Sequence, residues 1–252
     1  MTMGSRARLV DIPRTVVTVV VGVVATIIAA VSVIVISRFS PTNPLVDKVA
    51  RWWGQSWLTA SRTTVATTGL ENIDVNRSYM VVANHQSNMD VFATFVAMPI
   101  PIRFLAKAEL FKIPLLAPAM RAIGIVEVDR NARRAIHEFV NTGTQQLIAA
   151  GRSVIIFPEG TRSPDGSLLP FKKGAFTMAV AAGLPILPVT ISGSGEAWPA
   201  GSRIIRGGHI DIRVDPALET ADMRLGDSGI LLSQVRELML DNRNQLGEPH
   251  GA

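Results

Sequence analysis

Tyr79 to Val96 reads YMVVANHQSNMDVFATFV, and this stretch decides the fold. Met80 to Ala83 is an apolar, β-branched-rich run, the pattern of a buried strand. Asn84-His85 ends it, and helical apolar spacing resumes at Met89. His85 is therefore expected on the turn where a strand passes to a helix, with Asp90 in the first helical turn. Open α/β sheets place their ligand crevices at such strand ends.

Spacing limits the geometry. On one continuous helix, a His and an Asp five apart would point about 140° away from each other. With His85 on the turn, the Asp90 carboxylate can fold back onto the imidazole, accept the Nδ1 proton and leave Nε2 as a base. Such a pair deprotonates a hydroxyl without a covalent intermediate. The same letters admit a plainer reading. Ser87-x-x-Asp90 has the outline of a capping box, in which Asp90 is only a helix cap and His85 only a loop donor.

The rest of the chain narrows the class. Its 252 residues suffice for one α/β core with an appendage. It carries a net charge of +5 and is also apolar, with mean hydropathy +0.30. That combination points to a membrane surface or an anionic lipid rather than to nucleic acid. No zinc-finger, helix-turn-helix or RNA-binding signature is present. Cysteine is absent, which excludes disulfides, thiolate metal sites and a cysteine acyl-enzyme.

Thr15 to Ser37 is uncharged for 23 residues and rich in Val and Ile. As a helix it would reach about 34 Å, enough to cross the hydrocarbon core. It is longer than the apolar part of a secretory signal. After the turn cluster Ser40 to Pro44, Leu45 to Ala60 has helical apolar spacing, with Trp52, Trp53 and Trp57 suited to the headgroup layer. Basic residues flank the apolar run on both sides: Arg6, Arg8 and Arg14 before it, Lys48, Arg51 and Arg62 after. A spanning helix with a cytoplasmic domain would put the first three outside, against the positive-inside tendency. A helical hairpin dipped into one leaflet keeps both flanks on one side and is preferred. The expected organisation is residues 1–62 as membrane-anchoring helices, 63–242 as an α/β domain and 243–252 as a flexible tail.

From Thr63 the pattern is α/β, a mixed, largely parallel sheet of about seven strands flanked by helices. Strands are expected at Thr64–Thr68, Tyr79–Ala83, Ile102–Ala106, Ile123–Val128, Val154–Phe157, Ile186–Ile191 and Ile210–Val214. Helices are expected at Met89–Ala97, Leu115–Arg121, Ala132–Ala150, Gly174–Ala182 and Gly229–Asn242.

A second anchor is Phe157-Pro158-Glu159-Gly160-Thr161-Arg162-Ser163, again at the end of an apolar strand. Arg162 offers a planar fork for a phosphate monoester. Gly160 permits a tight turn, and Glu159 can accept hydrogen bonds from substrate hydroxyls. Lys107 follows one strand and Arg130 another, so both are expected at the sheet edge that carries His85 and Arg162. Convergent cations suggest an anionic ligand, and Lys172 can join them. No Gly-x-Ser-x-Gly elbow, Walker A loop or His-Glu-x-x-His occurs. Without a protein nucleophile or an evident metal, the activated hydroxyl should belong to the substrate.

Four blocks, in this order and spacing, resemble the glycerolipid acyltransferases, and most closely the 1-acyl-glycerol-3-phosphate (lysophosphatidic acid) acyltransferases. They are Asn84-His85-x4-Asp90, Lys107-Ala-Glu-Leu, Phe157-Pro-Glu-Gly-Thr-Arg162 and Leu187-Pro-Val-Thr. The resemblance covers roughly residues 45 to 200. It implies that His85 is the general base and Asp90 its orienting partner. It places Glu159, Gly160, Thr161 and Arg162 in the glycerol-phosphate site, with Lys107 and Arg130 helping to hold the phosphate. It further implies lysophosphatidic acid as acceptor, and acyl-CoA or acyl carrier protein as co-substrate with no bound cofactor. The catalytic domain would lie on the cytoplasmic face of a membrane, and bacterial relatives similarly carry an N-terminal two-helix membrane motif. Two alternatives are kept. One is a relative that acylates another lysophospholipid or glycerol-3-phosphate, which a panel of acceptors distinguishes. The other is a non-catalytic anionic-lipid-binding membrane protein, marked by lipid binding without thiol release.

Overall fold

The structure is a computed structural model that describes residues 10–40, 42–128 and 148–246. Arg6, Arg8, Arg130, most of the helix expected over Ala132–Ala150 and the tail from residue 247 lie outside the described residues.

Seven strands form one sheet: β1 (Thr63–Thr68), β2 (Met80–Ala83), β3 (Ile102–Lys107), β4 (Val126–Val128), β5 (Ser153–Ile156), β6 (Ile186–Ser192) and β7 (Gly208–Val214). Their spatial order is β1-β7-β6-β2-β5-β3-β4. Five run parallel, from β6 across β2, β5 and β3 to β4. β7 joins β6 antiparallel and β1 runs parallel to β7, so the far edge is reversed. The sheet is mixed and largely parallel, as the sequence pattern implied.

Helices cover both faces. These are α1 (Asp11–Phe39), α2 (Leu45–Ser61), α3 (Met89–Ala97), α4 (Leu116–Ile123), α5 (Gly174–Ala182), the short α6 (Ser194–Ala197) and α7 (Ser228–Leu246). Strand residues alternate between the two covers, because successive side chains point to opposite faces. Val81, Ala83, Ile155, Leu187, Val189 and Ile191 enter one core with α3 and, from α2, Trp53 and Trp57. Met80, Val82, Val154 and Ile186 enter a second core with Phe176 and Met178 of α5 and Leu231, Val235 and Met239 of α7. Burial on both faces explains why β2 reads as an unbroken apolar run.

Two boundaries differ from expectation. Ile123 closes α4 instead of opening a strand. Gly124, at φ 84°, caps the helix in the left-handed region, and its N–H bonds back to Arg121 O and Met120 O. The last helix continues to Leu246, so Arg243 lies in its final turn and not in a flexible tail.

α1 turns a stripe of small residues inward. Thr18, Gly22, Ala25, Ala29 and Val33 are buried at helical spacing. The Trp57 ring sits where a side chain at position 22 would project. Val16, Val20, Val23, Val24, Ile27, Val31 and Val35 remain exposed on the other side. Among the described residues, α1 is the one helix long and apolar enough to cross a membrane.

α2 is tied to the sheet by charge as well as by packing. Arg103 of β3 is 1% exposed, and its Nη1 lies 2.6 Å from Asp47 Oδ1 of α2. The guanidinium also donates to the carbonyls of Ile102 and Ile123. Arg152 is buried nearby; burial and then the charge of Arg103 lower its pKa. Asp47 is thus the carboxylate balancing a cation that cannot reach water. Breaking a buried pair from one side costs about 3–5 kcal/mol, and the partial exposure of Asp47 places it at the lower end. Asp47→Ala should therefore lose about 3 kcal/mol of unfolding free energy in a denaturant titration. A loss under about 1 kcal/mol, the scale of a surface pair, would show that this pair does not anchor α2.

Candidate active site

β2 ends at Ala83, and the chain makes a turn of five residues before α3 begins at Met89. Asn84 closes the strand by using its side chain as a piece of backbone. Its Nδ2 donates to Ile191 O at 2.8 Å and its Oδ1 accepts the Ile191 N–H at 2.7 Å. Both groups are fully buried, and pairing them with β6 removes a desolvation penalty. This fixes where the turn departs from the sheet.

The turn then wraps around one oxygen. Asp90 is fully buried, and its Oδ2 lies 2.7 Å from His85 Nδ1. The same oxygen accepts the N–H groups of Gln86 at 2.7 Å and Ser87 at 2.8 Å. An oxygen already accepting two amides is an acceptor for the imidazole too, so the shared hydrogen sits on Nδ1 and Nε2 carries the lone pair. The capping reading also holds in part: Asp90 caps the turn amides while it orients His85. Ser87 Oγ accepts the Met89 N–H and donates to Trp198 O, at 3.1 and 2.7 Å. The His85 ring stacks on Phe157, with centroids 4.0 Å apart and planes 9° apart. Its side chain keeps 16% exposure, so one edge remains open.

Phe157 opens the second anchor, at the end of β5, the neighbour of β2. This loop is clasped to the His85 turn by two bonds. The His85 N–H donates to Glu159 Oε1 at 2.7 Å, and the Ser163 N–H donates to His85 O at 2.8 Å. Glu159 Oε2 accepts the Leu169 N–H at 2.9 Å. Both carboxylate oxygens therefore hold backbone. Burial pushes the Glu159 carboxyl up, against the pull of these two amides. Gly160 has φ 71°, which favours glycine, and a side chain there would have to displace the Lys172 ammonium. Lys172 is thereby brought to the loop, where its N–H also donates to Pro158 O. Thr161 is exposed. Arg162 is half-buried, with no hydrogen bond or ion pair to another described residue.

Lys107 is the last residue of β3, in register with Val128 of β4, so its backbone reaches the same carboxyl edge of the parallel strands. Arg130 is outside the described residues. The structure thus brings His85, Asp90, Glu159, Gly160, Arg162 and Lys172 together at one sheet end. Three contributors had no assigned part in the sequence reading. Asn84 was quoted without a role, although a polar residue ending a buried strand signals a needed partner. The Phe157 ring under His85 and Arg243 beside the second loop depend on distant elements meeting, for which no local signal exists.

An acyltransferase family model matches residues 64–192, the span from β1 through β6. A chloroplastic 1-acyl-sn-glycerol-3-phosphate acyltransferase of Brassica napus is 41% identical over 58% of this chain and 42% of its own length. The human 1-acyl-sn-glycerol-3-phosphate acyltransferase alpha is 32% identical over 68% of this chain and 61% of its own. The chain therefore spans less than two thirds of these curated relatives. The crystal structure of the 1-acyl-sn-glycerophosphate acyltransferase PlsC from Thermotoga maritima superposes with a TM-score of 0.81 at 28% identity, covering 97% of this chain and 99% of that one. At 97% coverage of this chain, the match takes in both N-terminal helices and the reversed sheet edge. On this footing the chain belongs to the acyltransferase family.

Proposed function

We propose that this protein transfers an acyl group from acyl-CoA or acyl carrier protein to the free 2-hydroxyl of lysophosphatidic acid, giving phosphatidic acid. The observation that carries the reading is the His85–Asp90 pair at 2.7 Å, hydrogen-bonded through its own backbone to the loop that bears Arg162. A base and an anion-binding fork joined by two short backbone links suit a substrate with a hydroxyl and a phosphate on one glycerol. The names of the relatives point the same way.

In this mechanism His85 Nε2 takes the hydroxyl proton, and Asp90 steadies the imidazolium that results. The alkoxide attacks the thioester carbonyl and a tetrahedral oxyanion forms. Its collapse breaks the C–S bond, and the imidazolium returns its proton to the leaving thiolate. Arg162 and Lys172, with Lys107 and Arg130, hold the phosphate; Gly160 and Thr161 shape its loop. Glu159 keeps that loop against the base.

Residues 1–62 form the membrane anchor of this reading, with the α/β domain on the cytoplasmic face. Three ties along α1 support a one-leaflet hairpin. Ile205 N–H donates to Thr15 Oγ1 at 2.9 Å, Trp53 Nε1 to Thr26 Oγ1 at 2.8 Å and Ser37 Oγ to Ala122 O at 3.2 Å. They span about 33 Å of helix, so α1 lies along the domain instead of standing away from it. Its exposed valines and isoleucines would meet acyl chains. Each buried methylene is worth about 0.8 kcal/mol, so a site at the bilayer avoids lifting a lipid into water.

Three outcomes follow from this reading. His85→Ala should lower lysophosphatidic-acid-dependent thiol release by about 10²–10⁴-fold while leaving the melting temperature near wild type. Normal turnover would take His85 out of the mechanism. Arg162→Ala should raise the KM for the phosphorylated acceptor about tenfold or more, in keeping with a lost charge-assisted fork, and leave that of the thioester unchanged. An unmoved acceptor KM contradicts the phosphate role. In sealed vesicles with the domain outward, a label at the N-terminus should be as accessible as the domain; a protected N-terminus refutes the hairpin.

A further inference from the structure

The C-terminal helix α7 reaches back to the loop that carries Arg162. Arg243, in its last turn, donates from Nη2 to Gly166 O. Arg236, on the same face two turns earlier, donates to Leu168 O at 3.3 Å. Gln86, next to His85, shares the Gly166 carbonyl through its Nε2 at 3.5 Å. That one carbonyl therefore links the base's turn, the second loop and the end of the chain.

The helix that delivers Arg243 is itself pinned to the sheet. Asn242 is buried, and its Nδ2 donates to Thr190 Oγ1 at 3.1 Å and Asp215 Oδ2 at 2.5 Å. Arg243 thus acts from a fixed point. It is half-buried, and burial lowers its pKa against the opposing pull of Glu159 and Asp165. Asp165 accepts from the Ser167 hydroxyl and amide and the Ser163 hydroxyl, at 2.7, 3.0 and 3.0 Å, and these bonds hold its pKa at about 2. The loop therefore contains two carboxylates, Glu159 and Asp165, against Arg162 and Lys172. Without Arg243 these four charges would cancel, and only Lys107 and Arg130 would be left to draw a phosphate monoester.

We infer that Arg243 is a positioning residue for acceptor recognition: it clamps the 159–167 loop through Gly166 O and offsets its carboxylates, so that Arg162 meets the acceptor's phosphate. The inference rests on the acyl-transfer reading above and adds the far end of the chain to it. Arg243 need not touch substrate; it acts through the loop.

Steady-state kinetics on the full-length enzyme in mixed micelles test it, with lysophosphatidic acid and an acyl-CoA varied in turn. Arg243→Ala should raise the acceptor KM about tenfold, leave the donor KM within about twofold and lower the melting temperature by only a few degrees. Arg243→Lys, which keeps the charge, should recover part of the loss. Arg243→Gln, which keeps a donor but no charge, should recover less than Arg243→Lys. In the Arg162→Ala background, Arg243→Ala should add less than about twofold, because residues acting through one interaction are non-additive. Losses that multiply would overturn action through Arg162, and a fall in kcat and melting temperature with both KM values unmoved would assign Arg243 to stability alone. A wild-type enzyme that releases no thiol with lysophosphatidic acid would instead overturn the reading of the reaction. Thiol release by wild type with an unmoved acceptor KM in Arg243→Ala overturns only the role of Arg243.

Discussion

One buried oxygen organises this site. Asp90 Oδ2 takes hydrogen bonds from two successive turn amides and from the His85 ring. A carboxylate removed from water is costly unless it is paired and hydrogen-bonded. Here the compensation comes from groups that a strand-to-helix turn would otherwise leave unsatisfied. The same bonds that make the turn stable also choose the imidazole tautomer. Capping the turn and orienting the imidazole are one arrangement, not rival explanations of the same residue.

The second loop is built on a similar economy. Glu159 is buried with its pKa pushed up, yet both of its oxygens hold amides, one from the His85 turn and one from Leu169. Its bond to the His85 amide makes the two loops a single body. Gly160 then lets the chain pass beneath the Lys172 ammonium. Arg162 is left without a described partner, which leaves its fork available. Polar groups that must be buried are spent on holding the backbone, and the charge that faces outward stays uncommitted.

α1 follows a different rule from the rest of the chain. Its small side chains face α2, and its large ones face away. Small residues let two helices approach closely, as in helices that associate without a hydrophobic drive. The close approach admits the indoles of Trp53 and Trp57, which both bond to Thr26 and also touch Phe92 of α3. α2 and the sheet thereby share one core, and α1 packs on α2 from outside it. The expected boundary at residue 62 marks a change of sequence pattern, across which the packing is continuous.

Much of this was legible in the letters. All seven expected strands are present, and the central ones were plainest because burial on both faces demands unbroken apolar sequence. The helices at Met89–Ala97 and Gly174–Ala182 begin and end where the pattern placed them. The spacing of His85 and Asp90 allowed both a contact and a helix cap, and the short turn between them supplies both. Gly124 shows where local pattern failed: it caps α4 in the left-handed region, so the run expected as strand from Ile123 starts only at Val126. The reversed edge of the sheet, the Phe157 ring beneath His85 and the return of Arg243 to Gly166 needed the tertiary structure. Local sequence determines what a few consecutive backbone groups can satisfy among themselves. Which distant group completes a buried charge or caps a loop is decided only when the whole chain closes around it.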